Sequence, residues 1–113
     1  MKGNGLKQEI EPAERNFPEV KHTITAFVFI NVGMTPREKI LENLYALSEI
    51  REVYSVHGSI DVLVKMVMER NFLASDAETI SGFVDGKIRR IDGINRTQTI
   101  IPGFSKVKNQ PLI

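Results

Sequence analysis

The sequence predicts a single α+β domain whose elements follow the order β-α-β-β-α-β. Two kinds of periodicity indicate this fold class. Apolar residues alternate in four short runs, as in strands with a buried face, and recur at helical spacing in two longer runs. A chain of 113 residues has room for one domain with a small core, so burial through oligomerisation is a natural supplement.

Residues 23–32 form the first predicted strand. Phe27 and Phe29 occupy one face of this strand. The other face is aliphatic, with Ile24, Ala26, Val28, Ile30 and Val32. Because both faces are apolar, helices that cover one side of the sheet would leave the other side in need of a partner.

The first helix is predicted over residues 35–48. Thr35 and Glu38 have the spacing of a capping box, and Pro36 suits the first helical position. Apolar residues then follow at helical spacing, namely Ile40, Leu41, Leu44 and Leu47. We therefore expect an amphipathic helix that packs this apolar stripe on the sheet.

A hairpin is predicted next, with strands at residues 50–57 and 60–68. The strands meet at Gly58-Ser59, and a Gly-X pair favours a two-residue turn because glycine adopts the positive φ that this turn requires. Such a turn leaves backbone N–H groups facing solvent, with Asp61 close by. One face of the second strand carries Ile60, Val62, Val64, Met66 and Met68.

The second helix is predicted to begin at another capping box, formed by Ser75 and Glu78, and to end at residues 92–93. Its apolar stripe contains Ile80, Phe83, Val84, Ile88 and Ile91. Gly82 and Gly86 weaken this helix, by roughly 1 kcal/mol each relative to alanine. Their spacing also permits a close helix approach, although simple tolerance of glycine is the favoured interpretation.

A last strand at residues 94–102 completes a split βαβ, ferredoxin-like motif. Right-handed crossovers predict the strand order 4-1-3-2, with every strand antiparallel to its neighbours. The end of the first strand, the hairpin turn and the start of the last strand then share one end of the sheet. Asp61 and Thr97 lie on strands two apart, roughly 10 Å from each other, which favours a ligand site between subunits.

The composition is that of a soluble protein of the reducing cytosol. The chain has a net charge of +1, no cysteine and no apolar run that approaches the roughly 20 residues of a membrane-spanning helix. We therefore expect a cytoplasmic protein without membrane or direct nucleic-acid contacts. Residues 1–22 are expected to form a flexible N-terminal arm, residues 23–102 the folded domain and residues 103–113 a C-terminal tail.

The hairpin turn carries the candidate binding chemistry. Exposed N–H donors beside the Asp61 carboxylate suit a small zwitterion such as an amino acid, although Asp61 could instead accept hydrogen bonds from its own hairpin. His57 and His22 lack a third metal ligand, so a turn histidine is the favoured interpretation of His57. No metal and no cofactor are expected.

Basic residues offer a second set of candidates. Lys87, Arg89 and Arg90 come late in the second helix, where cations complement the helix dipole, and this role is favoured over nucleic-acid contact. Arg96 could bind a ligand carboxylate, but a solvated surface arginine is favoured.

Three segments, at residues 26–30, 53–64 and 91–101, together resemble the C-terminal effector domain of Lrp/AsnC regulators, also called the RAM domain. The resemblance covers residues 23–102. It implies a dimeric α/β sandwich that associates through the sheet, often as homodimers assembled into larger homo-oligomers. It also implies binding of amino acids or related metabolites between dimers.

The resemblance further implies a set of ligand-binding positions. His57 stands where the family often has a small polar residue, which leaves the identity of the effector open. The helix-turn-helix that normally precedes this domain is not expected within the first 22 residues, so DNA-binding Lrp/AsnC relatives become candidate partners. The implied ligand-binding residues are His57, Gly58, Ser59, Asp61, Thr97 and Thr99.

The favoured function is therefore an amino-acid-sensing or metabolite-sensing regulatory domain that acts through oligomer assembly or through partner transcription regulators. One alternative is an enzyme of the dimeric α/β-barrel type, which the sequence disfavours because it shows no nucleophile-base pair, metal cluster or phosphate loop. The other is a purely structural oligomerisation module.

Overall fold

The computed structural model describes residues 22–108. Most of the predicted N-terminal arm and the last five residues of the predicted tail lie outside this range. The strands are β1 (Thr23–Val32), β2 (Ile50–Ser55), β3 (Val62–Glu69) and β4 (Ile94–Ile100). The helices are α1 (Arg37–Tyr45) and α2 (Asp76–Phe83), and a five-residue π-helical segment, Val84–Ile88, continues α2.

The four strands form one antiparallel sheet in the order β2-β3-β1-β4. This is the predicted order 4-1-3-2 counted from the opposite edge, so the fold class and topology are confirmed. Strand β1 lies at the centre, and its residue Ile30 pairs with Val62 of β3 on one side and with Thr97 of β4 on the other. The loops that lead into β3 and β4 therefore lie on either side of β1.

The core lies between the helices and one face of the sheet. Alternate residues of β1 and β3 are fully buried there because successive side chains of a strand point to opposite faces. The helices pack against this face of the sheet and add their own apolar residues to the core. Its members are Ile24, Ala26, Val28, Ile30, Ile40, Leu44, Ile50, Val62, Val64, Met66, Ile80, Phe83, Val84 and Ile88.

The opposite face of the sheet is half-buried and partly apolar. Phe27 pairs with Lys65, and Phe29 pairs with Leu63. Glu52 accepts a hydrogen bond of 2.7 Å from the Tyr54 hydroxyl and lies 3.7 Å from the Lys65 ammonium. The hydrogen bond to Glu52, together with the charge of that carboxylate, raises the pKa of Tyr54 above its ordinary value of 10.0.

The two predicted capping boxes differ in outcome. The box at Ser75 is confirmed, because Ser75 Oγ accepts from the Glu78 N–H at 3.1 Å and Glu78 accepts from the Ser75 N–H. The prediction of a capping box at Thr35 is wrong, because no side chain caps this helix. Helix α1 begins two residues later, after Pro36, and the Thr35 hydroxyl donates to Asp92 at 3.5 Å instead of capping the helix.

The second helix also ends differently from the prediction. Its last turn widens into the π-helical segment, in which the Arg89 N–H donates to the Val84 carbonyl at 2.8 Å. Helical structure therefore ends at Ile88, and a turn with Gly93 at φ +97° leads into β4. A Cβ added to Gly82 or Gly86 would meet nothing within 4 Å, which agrees with the favoured interpretation of simple tolerance.

Candidate functional site

The loop between β2 and β3 is wider than the predicted two-residue turn. The strand pairing stops at Ser55 and Val62, and residues 56–61 form the connection. The Val56 N–H donates to the Asp61 carbonyl at 3.0 Å and closes the base of this loop. The Asp61 N–H donates to the Ile30 carbonyl of the central strand at 2.9 Å, which fixes the end of the loop to β1.

The Asp61 carboxylate is fixed against the end of β1. Its Oδ2 accepts from the Val32 N–H at 2.9 Å, where the register of β1 against β4 shifts between Asn31 and Val32. These contacts show that Asp61 has a structural role in closing the sheet end. Its side chain nonetheless remains 30% exposed, so the carboxylate is still accessible from solvent.

Arg37, the first residue of α1, completes this cluster. Its Nη2 lies 3.2 Å from Asp61 Oδ1, and its Nη1 donates to Ser55 Oγ at 3.1 Å. Arg37 is not among the residues predicted from the sequence to bind a ligand. Two features of the sequence pointed to Arg37. A cation in the first turn opposes the helix dipole and needs a compensating partner. The predicted topology also places this helix end beside the hairpin loop.

The tip of the loop presents backbone donors to solvent. His57, Gly58 and Ser59 are exposed, and Gly58 has φ +143°. Within residues 22–108, the N–H groups of residues 57–60 donate to no protein acceptor. Asn31 Nδ2 donates to the Ser59 carbonyl at 3.0 Å and tethers the tip to β1.

Thr97 and Thr99 lie apart from this loop. They are on β4, on the far side of the central strand, and they face α2. Thr97 Oγ1 accepts from Arg89 Nη1 at 3.1 Å, and Arg89 Nε lies 3.9 Å from an Asp85 oxygen. Together with Ser81, Asp85 and apolar residues of α2, the two threonines line a cavity of about 230 Å³.

The six predicted ligand-binding residues thus fall into two groups. The structure brings His57, Gly58, Ser59 and Asp61 together in one loop, whereas Thr97 and Thr99 line a separate cavity. No group of three or more metal-binding side chains occurs among the described residues. Within the same range, no helix is long and apolar enough to cross a membrane.

The loop and its neighbours bring charged groups and hydrogen-bond donors together at one sheet end. The charged groups of the ion pair are the Asp61 carboxylate of the loop and the Arg37 guanidinium of α1, with exposed N–H donors nearby. Such groups hold the charged ends of a small polar molecule through charge-assisted hydrogen bonds. In a single protomer, however, the site is a half-exposed surface and not an enclosed pocket.

Comparison with known proteins identifies related chains. A family model described as the Lrp/AsnC ligand binding domain matches residues 25–112. An uncharacterized HTH-type transcriptional regulator, PH1916 of Pyrococcus horikoshii, is 32% identical over 99 residues, which cover 84% of this chain and 61% of that regulator. The chain therefore spans less than two thirds of the length of this relative.

Two solved structures share the fold. TTHA0845 from Thermus thermophilus is 28% identical, with a TM-score of 0.61, and the match covers 75% of this chain and 99% of that chain. The transcriptional regulator NMB0573 of Neisseria meningitidis, solved as an L-Met complex, has a TM-score of 0.62 over 76% of this chain and 53% of its own. Its identity of 17% shows likeness of fold alone.

Proposed function

The chain belongs to the Lrp/AsnC ligand-binding domain family, and from this premise we propose that it is a regulatory domain that senses an amino acid or a related small metabolite. Its relatives are transcriptional regulators, which is the functional class of the family. The proposal assigns the ligand to the loop at residues 56–61 and its partners at the sheet end.

One observation carries this proposal: the Asp61 carboxylate, the Arg37 guanidinium and the exposed N–H groups of the loop lie together at one sheet end. These are the groups that a molecule with both an ammonium and a carboxylate requires. NMB0573, a relative in fold, was crystallised with L-Met, so methionine is a natural first ligand to test.

The proposed site is completed by another subunit. Small-molecule sites commonly bury about 70–90% or more of a ligand's surface. Arg37 and Asp61 are 38% and 30% exposed in the single protomer, so the described chain alone gives an open surface. A neighbouring subunit that covers the loop would supply the missing wall.

The outer sheet face supports such assembly. Phe27, Phe29 and Leu63 make it partly apolar, and no described helix covers it. We propose that this face forms a homodimer, and that dimers meet at the loop ends. The same face could pair with longer Lrp/AsnC relatives that carry DNA-binding segments, since PH1916 is named as an HTH-type regulator.

Ligand binding would then be coupled to assembly. A site that exists only between subunits binds ligand only in the assembled state, so by linkage the ligand stabilises that state. The regulatory output of this domain is therefore the population of its oligomers, or of its complexes with DNA-binding relatives.

The experiment is a thermal-shift screen of the full chain against the common L-amino acids, beginning with methionine, with light scattering on each hit. A ligand at one hundred times its Kd should stabilise the fold by about 2.7 kcal/mol and should shift the oligomer distribution. A flat response across the panel, with oligomers that ignore every amino acid, contradicts sensing of amino acids and supports the structural oligomerisation module.

Two matched variants locate the ligand. Asp61→Asn removes the carboxylate charge at the loop, and Asp85→Asn removes one beside the cavity of Thr97 and Thr99. We expect Asp61→Asn to weaken binding and Asp85→Asn to leave it unchanged. The reverse result would place the ligand in the cavity between α2 and β4 and contradict the assignment to the loop.

A further inference from the structure

We infer that Arg37 determines ligand specificity: its guanidinium binds the carboxylate of an α-amino acid whose ammonium group binds Asp61. This inference rests on the proposed function and adds the residue that recognises the ligand carboxylate at the same site. It adds a residue of α1 to the residues of the hairpin loop.

The spacing of the two charges matches this class of ligand. Arg37 Nη2 and Asp61 Oδ1 are 3.2 Å apart. In an α-amino acid the carboxylate and the ammonium are attached to one carbon, so its two charges are similarly close. When the ligand lies antiparallel to the ion pair, its carboxylate is beside the Arg37 guanidinium and its ammonium is beside the Asp61 carboxylate. Molecules whose charges are separated by a longer chain match this arrangement less well.

Both protein groups retain hydrogen-bonding capacity for the ligand. Arginine has five N–H donors, and Arg37 uses its Nη1 and Nη2 atoms for one bond each, to Ser55 and Asp61. A carboxylate has about four acceptor sites, and Asp61 uses its two oxygens to accept from Val32 and Arg37. The ligand can therefore bind across the ion pair without breaking it.

The zero net charge of the Arg37–Asp61 pair favours ligands that also have no net charge. The guanidinium and the carboxylate sum to zero, and so do the two charges of an amino acid with an uncharged side chain. A ligand without its carboxylate would leave the ammonium beside Arg37, and a ligand without its ammonium would leave the carboxylate beside Asp61. Both mismatches place like charges within a few ångströms of each other, which disfavours binding.

The position of Arg37 at the start of α1 strengthens the argument. A cation in the first turn opposes the positive end of the helix dipole, whereas an anion there is favourable. Asp61 already supplies one anion, and Ser55 orients the guanidinium from its other nitrogen. A ligand carboxylate at the same position would add a second favourable contact with the helix end.

The test uses the full chain, its best amino-acid ligand from the common L-amino acids, and two analogues of that ligand: the decarboxylated amine and the deaminated acid. Binding is measured by calorimetry at fixed salt. The wild-type chain should bind both analogues at least about tenfold more weakly than the amino acid, as expected for loss of a charge-assisted hydrogen bond.

The variants give a crossed pattern that a merely structural role would not produce. Arg37→Gln should weaken binding of the amino acid about tenfold or more but should not weaken binding of the amine, because it removes the positive charge that repels the amine's ammonium. Arg37→Lys should restore part of the loss. Asp61→Asn should instead weaken binding of the amino acid but should not weaken binding of the deaminated acid, because it removes the negative charge that repels the acid's carboxylate. Arg90→Gln, at an exposed arginine beyond α2, is the matched control and should bind as wild type.

The outcomes separate the inference from the proposed function. An Arg37→Gln chain that binds the amino acid as tightly as wild type overturns the role of Arg37 while the sensing function stands. Wild-type protein that binds the amine or the acid as tightly as the amino acid also overturns it. A wild-type chain that binds none of the amino acids overturns both.

Discussion

Two loops flank the end of the central strand, and each contains a glycine with positive φ. The first, at residues 56–61, leads into β3 and contains Gly58. The second, at residues 89–93, leads into β4 and contains Gly93. In the first loop, the Asp61 N–H donates to the Ile30 carbonyl of β1. In the second loop, the Gly93 carbonyl accepts from the N–H of Gly33, the residue that follows β1.

Their surroundings differ completely. A Cβ on Gly93 would lie 2.6 Å from Thr35 Cβ and 2.8 Å from Ile40 Cδ1, whereas a Cβ on Gly58 would meet nothing within 4 Å. Both turns need a glycine with positive φ, but the turn at Gly93 is closely packed and the turn at Gly58 is open. The open turn is where a ligand or a second subunit has room to contact the backbone.

The largest expected effect comes from Gly93→Ala. The change forces an L side chain into a positive φ and drives its Cβ into Thr35 and the core residue Ile40. Together these costs should lower the free energy of unfolding by about 2–5 kcal/mol. Urea denaturation at fixed protein concentration measures the loss.

Gly103→Ala is the control for this prediction, because Gly103 lacks a positive φ and has no atom within 4 Å of the added Cβ. It should change stability by less than about 0.5 kcal/mol. A Gly93→Ala chain as stable as this control would contradict the description of the turn as packed.

Gly58→Ala should have a smaller effect. Here the added Cβ has space, so backbone strain alone should lower the free energy of unfolding, by about 1–2 kcal/mol. Ser59→Ala is the neighbouring control and should be near neutral, since the contact that tethers this position uses the Ser59 carbonyl. A loss as large as that of Gly93→Ala would mean that another subunit already fills the space beside Gly58 in the assembly.

The sequence was sufficient for the topology and for much of the core. Alternation alone predicted β1 at its observed bounds, because every second residue is buried against the helices. The Ser75 capping box was also predicted correctly, since both of its hydrogen bonds lie within four consecutive residues. Local patterns succeed where the interactions that they encode are local.

The failures have the opposite cause. Thr35 has the same local signature as Ser75, but its hydroxyl donates to Asp92, which is 57 positions away. Asp61 fixes the wide hairpin loop to β1 through bonds to Ile30 and Val32, and Arg37 joins the site through a contact with a residue 24 positions away. None of these partners can be identified from spacing within a segment, so the geometry of the candidate site had to come from the structure.

Gly82→Ala is the smallest expected effect, and it has the opposite sign. Gly82 lies in α2 with helical φ and an open space around it, so alanine should raise the free energy of unfolding by about 0.5–1 kcal/mol through helix propensity. The comparison is made by urea denaturation together with light scattering. A loss of stability accompanied by dissociation would show that a second subunit approaches α2 closely at Gly82. The glycine would then serve the assembly, and the open surroundings of the single protomer would not describe the protein in solution.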